Sequence, residues 1–197
     1  MTDGKLYAPR RLDIACGQAK PKGWTGIDLA GNANIVHDLF TFPWPIKGGS
    51  VREARISHFV EHIPHTVFAY MEAEQPKFVP LTDDGWWLFW DEVYRILRPE
   101  GTVTVIHPYV KSDRAFWDPT HTRYIHEMTW YYLDVNWRKA NGLDHYPVAA
   151  DFEVVSIVGT GTGMSDDMSA RNADAQTFAR LHYWDVIPDL QVILRKR

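Results

Sequence analysis

Two short apolar segments near the amino end, RLDIAC (11–16) and WTGIDL (24–29), are joined through CGQAKPKG (16–23). Each reads as a buried strand. The linker contains Pro21 and Gly23 and has no room for the helix that normally joins parallel strands. A chain that opens this way builds its sheet with a loop where the first crossover helix would stand. IVHDL (35–39) reads as a third strand and VREARISHF (51–59) as a fourth, with the Pro/Gly-rich loop FPWPIKGG between them.

Thr82-Asp83-Asp84 carries the cap and acidic first turn of a helix. Trp86, Phe89, Trp90, Val93, Ile96 and Leu97 follow at helical spacing, and Pro99 and Gly101 stop the helix. The Trp86/Trp90 stripe is read as core packing. TVTVIH (102–107), DFEVVSIV (151–158) and LQVIL (190–194) are further strands. An aromatic-rich insertion spans about 109–150, with a helix expected near 127–135, and a long polar loop is expected over about 159–186. Strands joined by crossovers and closed by a hairpin-like pair point to a Rossmann-like α/β fold. The expectation is one domain over 1–197, with an open, mostly parallel sheet of about seven strands, the last antiparallel, and helices on both faces.

Composition narrows the function. Lys+Arg minus Asp+Glu is 21 − 25, or −4, so the chain carries no strong nucleic-acid signal. The single cysteine, Cys16, excludes an intrachain disulfide. No run approaches the ~18 apolar residues of a membrane span, and MTDGKLYAPRR lacks a signal-type apolar stretch. The expectation is a cytoplasmic protein without a membrane partner.

Ligands of open α/β sheets bind outside the carboxyl ends of the strands. The first strand runs into Asp13-Ile14-Ala15-Cys16-Gly17, where small residues let the backbone approach a ligand. The second ends at Asp28, the third at Asp38, the fourth at Ser57 and His58, and the fifth at His107-Pro108-Tyr109. A glycine turn followed by two strand-end acids describes an adenosine site without a pyrophosphate. A dinucleotide site would want G-x-G-x-x-G opening a helix, and Ala15 and Ala19 replace two of those glycines. Asp13 and Asp28 also suit ordinary strand-end turns, Cys16 also suits a small core residue, and GTGTG (159–163) reads as a flexible turn.

Taken in order, LDIACGQ, GWTGIDLA, IVHDL, FPWP, ISHFVEHI and RILRPEGTVTVIHP resemble the class I S-adenosylmethionine-dependent methyltransferases. The closest match is the branch in which a short loop replaces the first helix. The resemblance covers about 11–108, and DPTHTRY (118–124) is similar to a later segment of that branch. It implies S-adenosylmethionine as cofactor. Asp13, Ala15, Cys16 and Gly17 would lie along its methionine part, and Asp28 and Leu29 at the ribose. Asp38 and Leu39 would face the adenine, with Ser57 and His58 near the methyl group. Ala15 departs from the family's usual glycine.

Where the accepting oxygen or nitrogen must lose a proton, histidine is the usual base. His58, His107 and His121 are the candidates, with Tyr109, Asp118 and His121 on the substrate side. The sequence does not choose the acceptor among a small molecule, a sugar, a peptide or a base. Phe116, Trp117, Tyr124, Trp130, Tyr131 and Tyr132 suit an acceptor pocket, a homodimer interface or a second small core alike. Two other functions stand beside transfer: a cofactor-binding or regulatory protein of the same fold, and a zinc hydrolase built on HFVEH (58–62). The hydrolase needs His58 and His62 one turn apart on a helix. The residues before His58 read as strand, and Pro64 biases Ile63 away from helix. No metal ligand is expected.

Overall fold

The structure, a computed structural model, describes residues 6–29, 31–66, 84–161 and 170–197, and the backbone of 68–71 and 77–80. The strands are β1 (Arg11–Ile14), β2 (Thr25–Asp28), β3 (Ile35–Val36), β4 (Val51–Ser57), β5 (Phe68–Met71), β6 (Lys77–Pro80), β7 (Leu97–Pro108), β8 (Phe152–Thr160) and β9 (Asp189–Lys196). Seven form one sheet in the order β3-β2-β1-β4-β7-β9-β8, and β5 and β6 form a separate antiparallel hairpin. Strands β3, β2, β1, β4 and β7 are parallel neighbours, whereas β9 runs antiparallel to both β7 and β8. This is the open, mostly parallel sheet that the patterning predicts, with its last strand reversed.

Leu12, Asp13 and Ile14 are all buried, so β1 is covered on both faces, with Leu12 and Ile14 on one and Asp13 on the other. Residues 15–24 are turns and loop with no helix. Ala15 and Gly17 have positive φ of 55° and 47°, which curl the chain back under β2. The approach is close. A Cβ on Gly26 would lie 2.5 Å from the Cys16 Sγ, so β2 needs glycine there.

Helix α1 (Gly85–Ile96) begins where Asp84 accepts from the Trp86 backbone N–H at 2.8 Å. Thr82 and Asp83, also expected in this cap, lie outside the described residues. The face formed by Trp86, Phe89, Trp90, Val93 and Ile96 is buried. The Trp90 ring meets Trp86, Phe89, Trp130 and Phe152 at centroid distances of 5.4–6.0 Å.

The insertion carries α2 (Arg114–Trp117), a 3-10 turn over Glu127–Leu133, and α3 (Val135–Ala140). One helix was expected near 127–135. Asp134 divides it, capping α3 by accepting from the Asn136 and Trp137 N–H groups at 2.8 and 3.1 Å. Trp130 is fully buried against α1, so this part of the insertion shares the main core.

The expected polar loop holds a helix, α4 (Ala173–His182), capped by Asn172 accepting from Ala175 N–H at 2.9 Å. Its only buried residue is Ala179, so no apolar stripe announces it, although Asn172 and Asp174 are an ordinary helix start. Of GTGTG, Gly159 and Thr160 finish β8, Gly161 has φ 75°, and Thr162 and Gly163 lie outside the described residues. Among the described residues no helix is long and apolar enough to cross a membrane.

Candidate functional site

The strand order reverses direction between β1 and β4, which opens a crevice at their carboxyl ends. Register pairs Ile14 with both Ile27 and Ile56, and Asp28 with Val36. The sheet therefore brings Ala15–Gly17, Asp28-Leu29, Asp38-Leu39 and Ser57-His58 along one edge.

Asp28 organises that edge. Its Oδ2 accepts from the Gly17 N–H at 2.8 Å, and the Gly17 carbonyl accepts from Asn32 N–H at 3.0 Å. The loops after β1 and β2 are thereby locked together. The lock needs Gly31, whose φ is 76° and where a Cβ would lie 2.6 Å from the Gly17 oxygen. A Cβ built on Gly17 meets nothing within 4 Å, so the loop borders open space.

Asp38 accepts from Phe40 N–H at 2.9 Å and holds the turn after β3. Leu39 is buried, with its carbonyl accepting from the Trp44 indole at 3.0 Å, whereas Leu29 is exposed. Asp13 is 1% exposed and pairs with Arg55 on β4 at 2.9 Å. Burial raises its pKa, against the Arg55 charge. Its Oδ2 has no hydrogen-bond partner among the described residues. Cys16 is packed under Gly26, and burial, aided by Asp28 and Asp13, pushes its thiol pKa up, so it offers a small core side chain rather than a thiolate.

The three candidate bases separate. His58 directly follows β4 with φ 53°, its side chain 39% exposed. His107 is fully enclosed. Its Nδ1 bonds to the Pro108 carbonyl at 2.8 Å, and its Nε2 accepts from the Trp130 indole at 3.3 Å. It is a core residue, not a proton acceptor for substrate. The sequence holds the signal in parity: Val103, Val105 and His107 share one face of β7. Burial pushes the His107 pKa down to about 4, against the opposing pull of the Pro108 carbonyl and Glu61. Because the unfolded imidazole binds its proton near pH 6.5, stability is full above that pH and is lost as pH falls toward 4. The loss should reach ~3 kcal/mol. Urea denaturation at pH 7 and pH 4.5 should show a larger fall for the native chain than for His107→Gln; equal falls would remove His107 as the source.

Tyr109, a substrate candidate, is 5% exposed, and burial pushes its phenol pKa to about 12, with the charge of Glu127 adding to the shift. Asp118 and His121 lie on a segment that docks against the turn after β4. Thr122 and Arg123 N–H groups both donate to the Glu61 carbonyl, at 2.9 and 3.1 Å. Thr122 Oγ1 and Arg123 Nε donate to the Ile63 carbonyl at 2.9 and 2.7 Å, and Arg123 also pairs with Asp84. HFVEHIPH and DPTHTRY thus form one unit, which the sequence does not announce. HFVEH itself is no metal-binding helix: only Val60–His62 form a 3-10 turn, and His58 lies outside it.

The insertion's aromatics divide as well. Phe116, Trp117 and Tyr124 are exposed, Trp130 is core, and Tyr131 and Tyr132 are half-buried. A cleft of about 530 Å³ lies on this side, lined in part by Trp87, Arg123, Tyr124, Thr129, Tyr132 and Tyr146.

This sheet order, with a reversed final strand, is the class I S-adenosylmethionine-dependent methyltransferase fold. Solved structures that share it include the following three. A SAM-dependent methyltransferase from Archaeoglobus fulgidus superposes with a TM-score of 0.55 at 17% identity, over 95% of this chain and 86% of that one. One from Methanosarcina mazei gives 0.52 at 14% identity, over 97% and 94%. One from Mesorhizobium loti gives 0.51 at 12% identity, over 98% and 93%. No family sequence profile and no curated protein matches the chain.

Proposed function

We propose that the protein is an S-adenosylmethionine-dependent methyltransferase. The observation that carries this reading is the Asp28–Gly17 lock at the switch point of a sheet with this fold. The residues fit the cofactor: an open glycine turn, a strand-end carboxylate beside it, and a second acid at the end of β3. Ala15 and Gly17 would line the methionine part, Asp28 would take the ribose hydroxyls, and Asp38 with the Leu39 backbone would face the adenine. Ser57 and His58 would close the site near the methyl group. Asp13 supports the edge from beneath through Arg55.

When bound, S-adenosylmethionine supplies a sulfonium methyl that passes to a lone pair on the acceptor as the carbon–sulfur bond breaks. The protein's task is chiefly alignment. His58 is the exposed strand-end base for an acceptor proton, with the acceptor, an oxygen or nitrogen nucleophile, entering from the side of Asp118 and His121. Titration calorimetry of the folded protein with S-adenosylmethionine and S-adenosylhomocysteine should show one site. No heat at millimolar ligand would overturn the reading.

A further inference from the structure

Glu61, His62 and His121 each offer a ligand atom within 4.8 Å of the others. We propose that they form a binding site for a borderline divalent cation such as Zn²⁺, on the acceptor side of the β4 end.

Three observations carry it. The first is Glu61. It is 2% exposed, and neither carboxylate oxygen has a hydrogen-bond partner among the described residues. Its ion partner there is His58 Nδ1, at 3.6 Å from Oε1 and charged only when protonated. A buried carboxylate without donors is costly, and a cation between it and the two imidazoles removes that cost.

The second is the orientation of the histidines. His121 Nδ1 lies 2.9 Å from the Ala115 carbonyl, which can only accept, so Nδ1 carries the proton and the neutral imidazole has its lone pair on Nε2. His62 Nδ1 lies 3.0 Å from Thr120 Oγ1, whose single proton goes to Asp118 Oδ1 at 2.7 Å. That hydroxyl must accept from His62, so again Nδ1 carries the proton. The Asp118 pKa is lowered, chiefly by the Thr120 hydroxyl, which keeps the relay anionic at its end. Hydrogen-bonded Nδ1–H and unspent Nε2 is the arrangement of metal-ligating histidines.

The third is rigidity. The backbone bonds from Thr122 and Arg123 to Glu61 fix the segment bearing His121 against the turn bearing Glu61 and His62. Ligands on a tetrahedral ion stand about 3.3 Å apart. Closure takes a shift on the order of 1 Å, which two partly buried imidazoles can make.

A His₂Glu set suits Zn²⁺ over the hard cations Mg²⁺ and Ca²⁺ and leaves a coordination position open. An acceptor hydroxyl held there would lose its proton more readily. That role rests on the methyltransferase reading; the site does not.

Untagged protein is equilibrated with Zn²⁺, desalted and assayed by mass spectrometry for metal. The expected result is one zinc per chain, with affinity at least 100-fold lower in His62→Ala and His121→Ala. Thr120→Val, which removes only the relay, should weaken zinc about 10–100-fold. Circular dichroism confirms that each variant is folded. Substoichiometric zinc in the native protein, or equal retention by both histidine variants, overturns the site. The same samples are titrated with S-adenosylhomocysteine. Zinc without nucleoside binding upholds the site and removes the transferase reading, whereas nucleoside binding without zinc overturns the site alone.

Discussion

Asp28→Ala should lower the affinity for S-adenosylmethionine on the order of 10²-fold. The substitution removes two things together. One is the carboxylate that would accept from the ribose hydroxyls. The other is the partner of the Gly17 N–H, at 2.8 Å, which holds the loop after β1 in place. A hydrogen bond to a charged group is worth about 1.5–3 kcal/mol, so either loss alone is worth tenfold or more. Asp28→Asn keeps an acceptor for Gly17 and should lose only about tenfold. The two variants together separate loop-holding from ribose recognition. Titration calorimetry reads both, and an Asp28→Ala protein that stays folded and binds as the native chain does would take Asp28 out of the site.

Trp130→Ala should destabilise the fold by about 3–5 kcal/mol. The side chain is fully buried, with Trp86, Trp90 and His107 rings at 5.6, 5.4 and 5.3 Å. Its indole N–H satisfies the buried His107 Nε2. Trp130→Phe keeps most of the volume and drops that donor, leaving an unpaired buried acceptor at a cost of about 1–3 kcal/mol. Urea denaturation at pH 7 measures both. A cost under about 1 kcal/mol for Trp130→Ala would mean that the insertion packs independently of α1.

The sheet was legible because its central strands set apolar residues at alternate positions on a buried face: Leu12 and Ile14, Ala54 and Ile56, Val103 and Val105. Helix α1 was legible because five of its apolar residues face one core. Helix α4 was not, because a helix that buries one alanine leaves no periodic stripe. Nor was the hairpin of β5 and β6, which pairs outside the main sheet: FAYM and KFVP are too short to show a period.

The same division holds at the site. Asp28, Asp38 and His58 follow from the rule that ligands gather at strand ends. The Glu61–His62–His121 group does not, since Thr120 and His62 meet across 58 residues of sequence through backbone bonds that no local pattern encodes. His107 shows the limit of the strand-end rule, which locates a residue along a strand but leaves its face to parity.

The place of β9 governs how the protein can be made. β9 follows β8 in sequence, yet it stands between β7 and β8, and among the described residues it is the only strand that β8 pairs with. Until residues 189–196 have left the ribosome, β7 ends in an unpaired edge and β8 has nothing to join. Lys196 adds a further tie, donating to the Tyr94 and Leu97 carbonyls at the junction of α1 and β7, 2.6 and 2.9 Å away. The parallel half of the sheet, which carries Asp28, can assemble during synthesis, whereas β8 joins only once β9 is present. A nascent chain stalled before residue 189 would present two open strand edges, the geometry from which β-aggregation starts.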